Sequence, residues 1–196
     1  MIYIAIQIQS TKLYIFDTDL LSTFLYTNCE NLLTRIFKQI IIPKKVYNEL
    51  CQYTDRNGNT VFKEKIDILK KQQKVKIVEL ELGSEEWQLY FEMTTPSQMK
   101  GIKIIGQGEA ACIAFAKVNN AVICSNNLKD ILFYVNKYNL EYLTTAEILY
   151  YSYENDIINW LEIEKLWNII KKRSKLPFAS FSEYYKKKLI MKSKSK

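Results

Sequence analysis

Four acidic residues stand where apolar segments of the sequence end or where helical patterns begin. Asp17 closes the apolar run KLYIFD, Glu109 opens the alanine-rich run EAACIAFAKV, and Asp130 follows shortly after the run AVICS. Glu49 lies in the segment PKKVYNEL, which has helical spacing. Clustered carboxylates suit hard cations such as Mg²⁺ and Mn²⁺, because these ions prefer oxygen ligands. Such ions activate water and neutralise phosphate, so the chemistry to expect is metal-assisted displacement at phosphorus.

The rest of the composition excludes several other catalytic groups and leaves these acids. The chain has no histidine, which excludes Ser-His-Asp and Cys-His catalysis, a zinc site built on imidazole and a histidine general base. The four cysteines show no CxxC spacing, and Cys112 and Cys124 lie inside apolar runs. Such cysteines are usually buried reduced thiols, which leaves the carboxylates as the main candidates.

Each acid also has a purely structural explanation. Asp17 would cap the helix that follows it, and Glu109 would gain only about 0.3–1 kcal/mol from the dipole at a helix N-terminus. Glu49 and Asp130 would be ordinary surface acids. However, an ionised acid after an apolar strand costs several kcal/mol without partners, and mutual repulsion raises the pKa of clustered acids unless a cation is bound. The acids therefore indicate a metal site as a set and not one by one.

The elements that position these acids follow an alternating pattern. Apolar runs predict short strands at 12–17, 40–43, 75–82 and 121–125. Helical spacing predicts helices with Thr18 or Asp19 as the first N-cap, then from Pro43, over 61–71, near Glu109, and after Asn126 and Asn127. The segment 93–105 is expected to be a loop. Alternating strands and helices indicate an α/β fold, a three-layer α/β/α sandwich with a central, mostly parallel sheet, whose functional loops gather at the strands' carboxyl ends.

The length of 196 residues suits one core with an appendage. We predict a catalytic domain over residues 1–150 and a helical, basic C-terminal extension over residues 151–196, packed on that domain or flanking it. Within the extension, Ser180 or Ser182 is expected to cap the last helix. The strand-like start MIYIAIQIQ receives no assignment beyond an additional edge strand as one option.

The charge of the chain is unevenly distributed. The net charge is +7, yet the segment 165–196 holds eleven Lys or Arg residues against one glutamate, which leaves a net charge of −3 on the first 164 residues. A basic segment on an acidic body suits a polyanion such as nucleic acid, whereas KSKSK alone is more typical of a solvated, frayed tail. The start has no basic n-region, and no apolar stretch approaches the roughly 18–20 residues of a membrane span. We therefore expect a cytoplasmic protein that does not bind membranes.

The order of these motifs resembles that of PIN-domain nucleases, including the VapC-type toxins, over roughly residues 13–149. An acid follows the first strand in FDTDLLSTFL, a glutamate lies on an early helix in IPKKVYNEL, and a third acid opens a middle helix in GQGEAACIAFA. A further strand then leads to SNNLKD, which is similar to the TxNxxD element of the family. Each fragment alone is unspecific, but their order, spacing and context together are specific.

The resemblance implies roles for the site residues. Mg²⁺ or Mn²⁺ would be held by four acids: Asp17, Glu49, Glu109 and Asp130. Neighbouring side chains would orient these ligands: Asp19, Ser125, Asn126 and Asn127. Many members of the family have an acid near the SNN segment, where this chain has two asparagines, which implies fewer ions or weaker binding.

Most known members cleave RNA endonucleolytically, so the resemblance implies a metal-dependent endoribonuclease with RNA as its substrate. Toxin members are silenced by an antitoxin peptide in the active-site groove, which makes an antitoxin protein the expected partner of a toxin; a homodimer is left open. The side chains expected to contact phosphates are Lys44, Lys45, Lys129, Lys171, Lys172, Arg173 and Lys175. For any one of them, a solvated helix face is the alternative.

A second hypothesis is a catalytically weak module that keeps the fold and binds nucleic acid or a protein partner. Asn126 and Asn127 motivate it, because they replace acids of the family pattern. A phosphate-binding nucleotide loop at GQGEA is disfavoured, since no Lys followed by Ser or Thr comes after the second glycine. Metal-dependent cleavage of RNA distinguishes the first hypothesis from the second.

Overall fold

The computed structural model describes residues 8–9, 11–55, 57–96 and 103–194. Its sheet contains five parallel strands: β1 (Tyr14–Phe16), β2 (Ile40–Pro43), β3 (Val75–Val78), β4 (Val122–Cys124) and β5 (Tyr142–Leu143). Their order across the sheet is β3-β2-β1-β4-β5. The register pairs Phe16 with Cys124, so the residues that follow β1 and β4 emerge side by side at the carboxyl edge.

Ten helices accompany these strands within the described ranges. They are α1 (Thr18–Tyr26), α2 (Glu30–Ile36), α3 (Lys44–Gln52), α4 (Lys63–Lys71), α5 (Glu85–Thr94), α6 (Gln107–Asn119), α7 (Leu128–Tyr138), α8 (Thr145–Glu154), α9 (Trp160–Lys171) and α10 (Phe181–Lys194). Helix α6 packs against β1, β2 and β4. Its buried residues Ala110, Ala111 and Ala114 are small enough to let the helix approach the sheet closely.

The inner strands are apolar along their whole length. Every residue of β1, β2 and β4 is buried, as expected for a parallel sheet with helices on both faces. The predicted fold class, a three-layer α/β/α sandwich with a helical C-terminal extension, is confirmed. In that extension α9 packs against α8 and α10, and the Glu183 amide donates to the Ser180 hydroxyl at 3.2 Å, as expected of Ser180 as the cap of α10.

Several local predictions need correction. Helix α1 is capped by Asp17 and not by Thr18 or Asp19, because the Asp17 carboxylate accepts from the Thr18 amide at 2.6 Å. Strand β3 ends at Val78 instead of residue 82, since the chain leaves the sheet there and Leu82 is 81% exposed. Helix α5 extends to Thr94, inside the segment expected to be a loop. The sequence prediction also lacks α2, α5 and β5.

Some predictions fall on residues that lie outside the described ranges. These residues are 1–7, which hold most of the strand-like start, 97–102 of the expected loop, and 195–196 at the end of KSKSK. Helix α10 includes the first part of KSKSK and ends at Lys194. The division of the chain at residue 150 stays a prediction. Within the described ranges, no helix is both long and apolar enough to cross a membrane.

Candidate active site

Asp17 occupies the junction between β1 and α1. One of its carboxylate oxygens accepts from the Thr18 amide at 2.6 Å, as the N-cap of α1. The other accepts at 2.8 Å from the hydroxyl of Ser125, which follows the neighbouring strand β4. Only 2% of Asp17 is exposed. The positions that follow two adjacent parallel strands therefore meet at one buried carboxylate.

Asp19 lies beside Asp17 in the first turn of α1. Its Oδ1 accepts from the Asn126 amide at 3.2 Å and lies 3.5 Å from the Ser125 hydroxyl. Burial raises the pKa of Asp17 well above its ordinary value, and the charges of Asp19 and Glu109 raise this pKa further. Burial also raises the pKa of Asp19. Both carboxyl groups therefore hold their protons more tightly than they would in water.

Glu49 reaches the same region from α3, which packs against α6. The Thr18 hydroxyl donates to the Glu49 carboxylate. Gly108 in the first turn of α6 leaves room for this carboxylate, because a Cβ at that position would lie 2.7 Å from Glu49 Oε2. Next on α6, the pKa of the Cys112 thiol is raised chiefly by burial and then by the nearby acids, Glu49 among them. Helices α1 and α3 thus bring acids to the end of β1, beside the first turn of α6.

The side-chain amide of Asn127 connects the two remaining acids. Its Nδ2 donates to Glu109 Oε1 at 2.8 Å and to Asp130 Oδ2 at 2.9 Å. Its backbone amide donates to the Ser125 hydroxyl at 3.1 Å. An asparagine supplies hydrogen-bond donors here, whereas an ionised acid at this position would repel both carboxylates. Asn127 therefore links the acids of α6 and α7 to the ends of the two central strands.

Asp130 differs from the other acids because it has a basic partner. Lys103 Nζ donates to Asp130 Oδ1 at 3.1 Å and to the Lys129 carbonyl at 2.7 Å. The Tyr134 hydroxyl holds the backbone of Lys103, since it accepts from the amide and donates to the carbonyl. The hydrogen bond from Asn127, and then the one from Lys103, lower the pKa of Asp130. The protein itself therefore compensates the charge of Asp130.

The other acids lack such compensation. Four acids form no ion pair with Lys or Arg in the part of the chain that the structure describes: Asp17, Asp19, Glu49 and Glu109. Among the same residues, no three acids are placed to hold a metal ion as their side chains stand, and hydroxyl and amide groups donate to them instead. The donor set fits a hard divalent cation, because it offers carboxylate oxygens whose charge is otherwise uncompensated.

The residues predicted to orient the ligands divide into two groups. Asp19, Ser125 and Asn127 contact the acids directly, as described above. The side chain of Asn126 turns away, because its Oδ1 accepts from the Thr145 amide and its Nδ2 donates to the Thr145 hydroxyl, both at 2.9 Å. Asn126 contacts Asp19 only through its backbone amide. The roles of the acids as ligands stay a prediction.

Two residues of the site, Thr18 and Lys103, are absent from the set of site residues that the sequence predicts. Thr18 carries a weak signal, because a threonine at the start of a helix is typical of a cap and its hydroxyl is then not expected to reach α3. Lys103 carries none, since it lies in an irregular segment 27 residues before Asp130. Contacts of this kind depend on how the folded chain brings distant segments together.

The predicted phosphate contacts on α3 and α7 are near the sheet's carboxyl edge. Lys44 and Lys45 open α3, and their ammonium groups lie over the rings of Tyr47 and Tyr90, at 4.9 and 5.5 Å from the ring centroids. Lys129 is exposed in the first turn of α7. These three lysines are placed beside the acids and not among them.

The predicted contacts in the segment 171–175 are held beside α1. The Arg173 guanidinium lies 4.1 Å from the ring centroid of Tyr26, and the Ser174 hydroxyl lies 2.7 Å from that of Thr23. The exposed basic side chains of this segment are Lys171, Lys172, Arg173 and Lys175. Because Asp17 is the N-cap of α1 and Asp19 lies in its first turn, one helix connects the basic segment to these two acids.

Comparison with known proteins adds a family-level result. A family model described as a PIN domain matches residues 13–173, which include all the acids discussed above. The chain is also similar to a solved structure of VapBC2 from Rickettsia felis bound to a DNA fragment from their promoter. That match has a TM-score of 0.45 and 22% sequence identity, and it covers 67% of this chain and 98% of the other. Among curated proteins, no significant match exists.

Proposed function

This chain belongs to the PIN-domain family, and we propose that it is a metal-dependent endoribonuclease that hydrolyses RNA phosphodiester bonds. The proposed ligands of Mg²⁺ or Mn²⁺ are Asp17, Glu49, Glu109 and Asp130. The observation that carries this proposal is the charge balance around Asp17. That residue is 2% exposed, and the charged groups that raise its pKa are acids. A buried carboxylate without a compensating charge is costly, and a divalent cation would remove this cost.

Hydroxyl and amide groups of the chain position the acids by hydrogen bonds. The Ser125 hydroxyl holds Asp17, and the Asn126 amide holds Asp19. The Asn127 side chain holds Glu109 at 2.8 Å. When bound, a divalent ion would activate water and neutralise the phosphate. Because these hydrogen-bond donors occupy carboxylate oxygens in the described residues, the acids would exchange some of these bonds for bonds to the ion.

The distribution of basic residues supports RNA as the substrate. Lysines lie in the first turns of α3 and α7, which follow the two strands next to β1, so a phosphate backbone would meet positive charge on either side of the proposed metal site. The segment 171–175 adds positive charge further along α1. We extend the proposal to a cytoplasmic toxin that an antitoxin protein inhibits, on the strength of the motif resemblance to VapC-type toxins.

A cleavage assay tests the proposed activity. Labelled single-stranded and structured RNAs are incubated with the protein in Mn²⁺, Mg²⁺ or EDTA, and the products are separated by size. We expect internal cuts with either ion and none in EDTA. Asp17→Asn should abolish them, while Asp156→Asn, at an exposed acid between α8 and α9, should not. Absence of any metal-dependent product from the wild-type protein would refute the proposal.

One observation favours the second candidate function, a catalytically weak binding module. Lys103 already compensates Asp130, one of the four proposed ligands, at 3.1 Å. In a binding module, RNA would bind with equal affinity in EDTA and in Mn²⁺ and would remain intact. The same assay, with a binding measurement beside it, therefore distinguishes the two functions.

A further inference from the structure

A cavity of about 350 Å³ reaches Asn126, two residues after the end of β4. The start of α7, β5 and the C-terminal helix α10 contribute to its walls. Its volume falls within the range of about 300–1,000 Å³ that is usual for small-molecule sites. Asn126 lines the cavity, and the amide of the same residue donates to Asp19. The cavity is therefore one residue away from an acid of the site, because the backbone of Asn126 contacts Asp19.

The cavity wall carries an excess of positive charge. Three lysines, Lys175, Lys187 and Lys188, face one glutamate, Glu147. Lys188 is 8% exposed and lies 3.8 Å from Glu147, so these two charges offset each other. Lys175 and Lys187 are exposed and form no ion pair with an acid of the described ranges. They are the cations that a bound anion would meet.

Aromatic side chains supply the other part of the wall. Tyr142 from β5 and Phe178 from the segment between α9 and α10 are both half-buried there. The Phe178 carbonyl accepts from Trp167 Nε1 at 3.2 Å, and Trp167 is fully buried, which holds this segment in place. Aromatic faces next to lysines are the combination that binds the base and the phosphate of single-stranded nucleic acids.

The position of Lys175 is tied to the acids through α1. The preceding residue, Ser174, contacts Thr23 of that helix at 2.7 Å between hydroxyl oxygens. Asp17 caps the N-terminus of this helix, and Asp19 lies in its first turn. Two sets of contacts thus connect the cavity wall to the acids, one through α1 and one through Asn126.

We propose that this cavity binds one nucleotide of single-stranded RNA next to the phosphodiester bond held at the acids. The base lies against Tyr142 and Phe178, and a phosphate lies at Lys175 and Lys187. The placement beside the cleaved bond rests on the proposed function. Binding of the nucleotide itself does not, because no residue of this cavity is a proposed metal ligand.

A binding experiment in EDTA tests the cavity without cleavage. Fluorescence anisotropy of a labelled eight-residue oligouridylate is measured against the wild type and two double variants of equal charge. Lys175→Gln/Lys187→Gln alters the cavity. Lys165→Gln/Lys186→Gln removes two exposed lysines of α9 and α10 that do not line it. We expect at least about tenfold weaker binding for the first and less than about twofold for the second, since each single-strand phosphate contact contributes about 0.7 to the slope of log affinity against log salt.

A second readout locates the base. Oligouridylate that contains 5-bromouridine is photo-crosslinked, and the peptides are identified by mass spectrometry; we expect adducts at Tyr142 or Phe178. Equal loss of affinity in both double variants, or adducts only outside the cavity, would overturn the proposal. So would an oligoglutamate of matched charge that competes as well as the RNA, because the cavity would then recognise negative charge alone and not a nucleotide. A wild type that binds through the cavity but never cleaves would refute only the proposed function.

Discussion

The two central strands of the sheet end in opposite electrostatic environments. Strand β1 leads to Asp17 and Asp19, for which burial and neighbouring acids raise the pKa, and neither forms an ion pair within the described ranges. The adjacent strand β4 leads to Asp130, whose pKa is lowered by Asn127 and then by Lys103. The two regions have the same position in the topology, because both follow parallel strands at the same edge of the sheet.

The difference between the two strand ends shows that an acid at the carboxyl edge of the sheet does not by itself need a bound cation. At the β1–α1 junction the protein leaves negative charge uncompensated, whereas at the β4–α7 junction it supplies its own cation and amide. The free energy that favours a bound ion should therefore come mainly from the first junction. Substitutions at the two junctions test this asymmetry.

The asymmetry predicts unequal losses of activity. Asp17→Asn should reduce metal-dependent RNA cleavage at least about 100-fold, because each 1.36 kcal/mol of lost transition-state stabilisation is tenfold in rate and a metal contributes several. Asp130→Asn should reduce it about tenfold, as for a residue whose charge the protein already balances. The rates are measured at saturating Mn²⁺, with Asp156→Asn as the control. Equal losses for the two variants would contradict the asymmetry.

The amide of Asn127 should matter most when no metal is present. Asn127→Asp places a third carboxylate against Glu109 and Asp130 and removes two hydrogen bonds to charged groups. In EDTA we expect the Tm to fall by roughly 4 °C or more, because about 1–3 kcal/mol is lost for each such bond and about 2–4 °C follows from each kcal/mol in a chain of this size.

Mn²⁺ should reverse this destabilisation. The ion should raise the Tm of Asn127→Asp by more than it raises that of the wild type, because the added carboxylate lies beside proposed ligands. Asn136→Asp, at an exposed position of the same helix, serves as the control and should show little change in either condition. A variant as stable as the wild type in EDTA would show that these acids do not repel a third charge.

The raised pKa of Asp17 predicts a pH dependence of the metal-free protein. Below the ordinary pKa of an aspartate, the folded and unfolded chains both bind the proton, and Asp17 contributes no difference. As the pH rises, the unfolded chain loses this proton first, so the folded state binds more protons and the free energy of unfolding falls. Asp17→Asn removes this loss and retains a good N-cap.

We therefore expect the Tm of Asp17→Asn in EDTA to exceed that of the wild type increasingly from pH 4 to pH 8. The difference should grow by at least about 2 °C, the shift that about 1 kcal/mol causes in a chain of this size. Thermal unfolding monitored by circular dichroism measures the Tm. The Tm of the control variant Asp156→Asn should change with pH as that of the wild type does. A difference that stays constant with pH would show that the Asp17 pKa is not raised.

The sequence predicts the strands of the site better than the contacts around it. The runs KLYIFD and AVICS identify β1 and β4, because inner strands of a parallel sheet are apolar on both faces, and Asp17 follows directly. Strand β5 is only two residues long, too short to show a periodicity. The link from Asn127 to two acids and the approach of Lys103 to Asp130 depend on tertiary structure, since the paired residues come from separate segments.

The pair of Lys103 and Asp130 gives the smallest expected effect. Lys103→Gln should free Asp130 and strengthen Mn²⁺ binding about 1.4- to fivefold, because partly exposed ion pairs contribute about 0.2–1 kcal/mol. Isothermal titration calorimetry without RNA measures this affinity. Lys129→Gln removes the same charge from a neighbouring exposed position and leaves the ion pair intact, so it controls for the general field of the protein. An equal gain for both variants would mean that the ion pair does not compete with Mn²⁺. The ends of β1 and β4 would then differ in burial but not in how strongly they favour a bound cation.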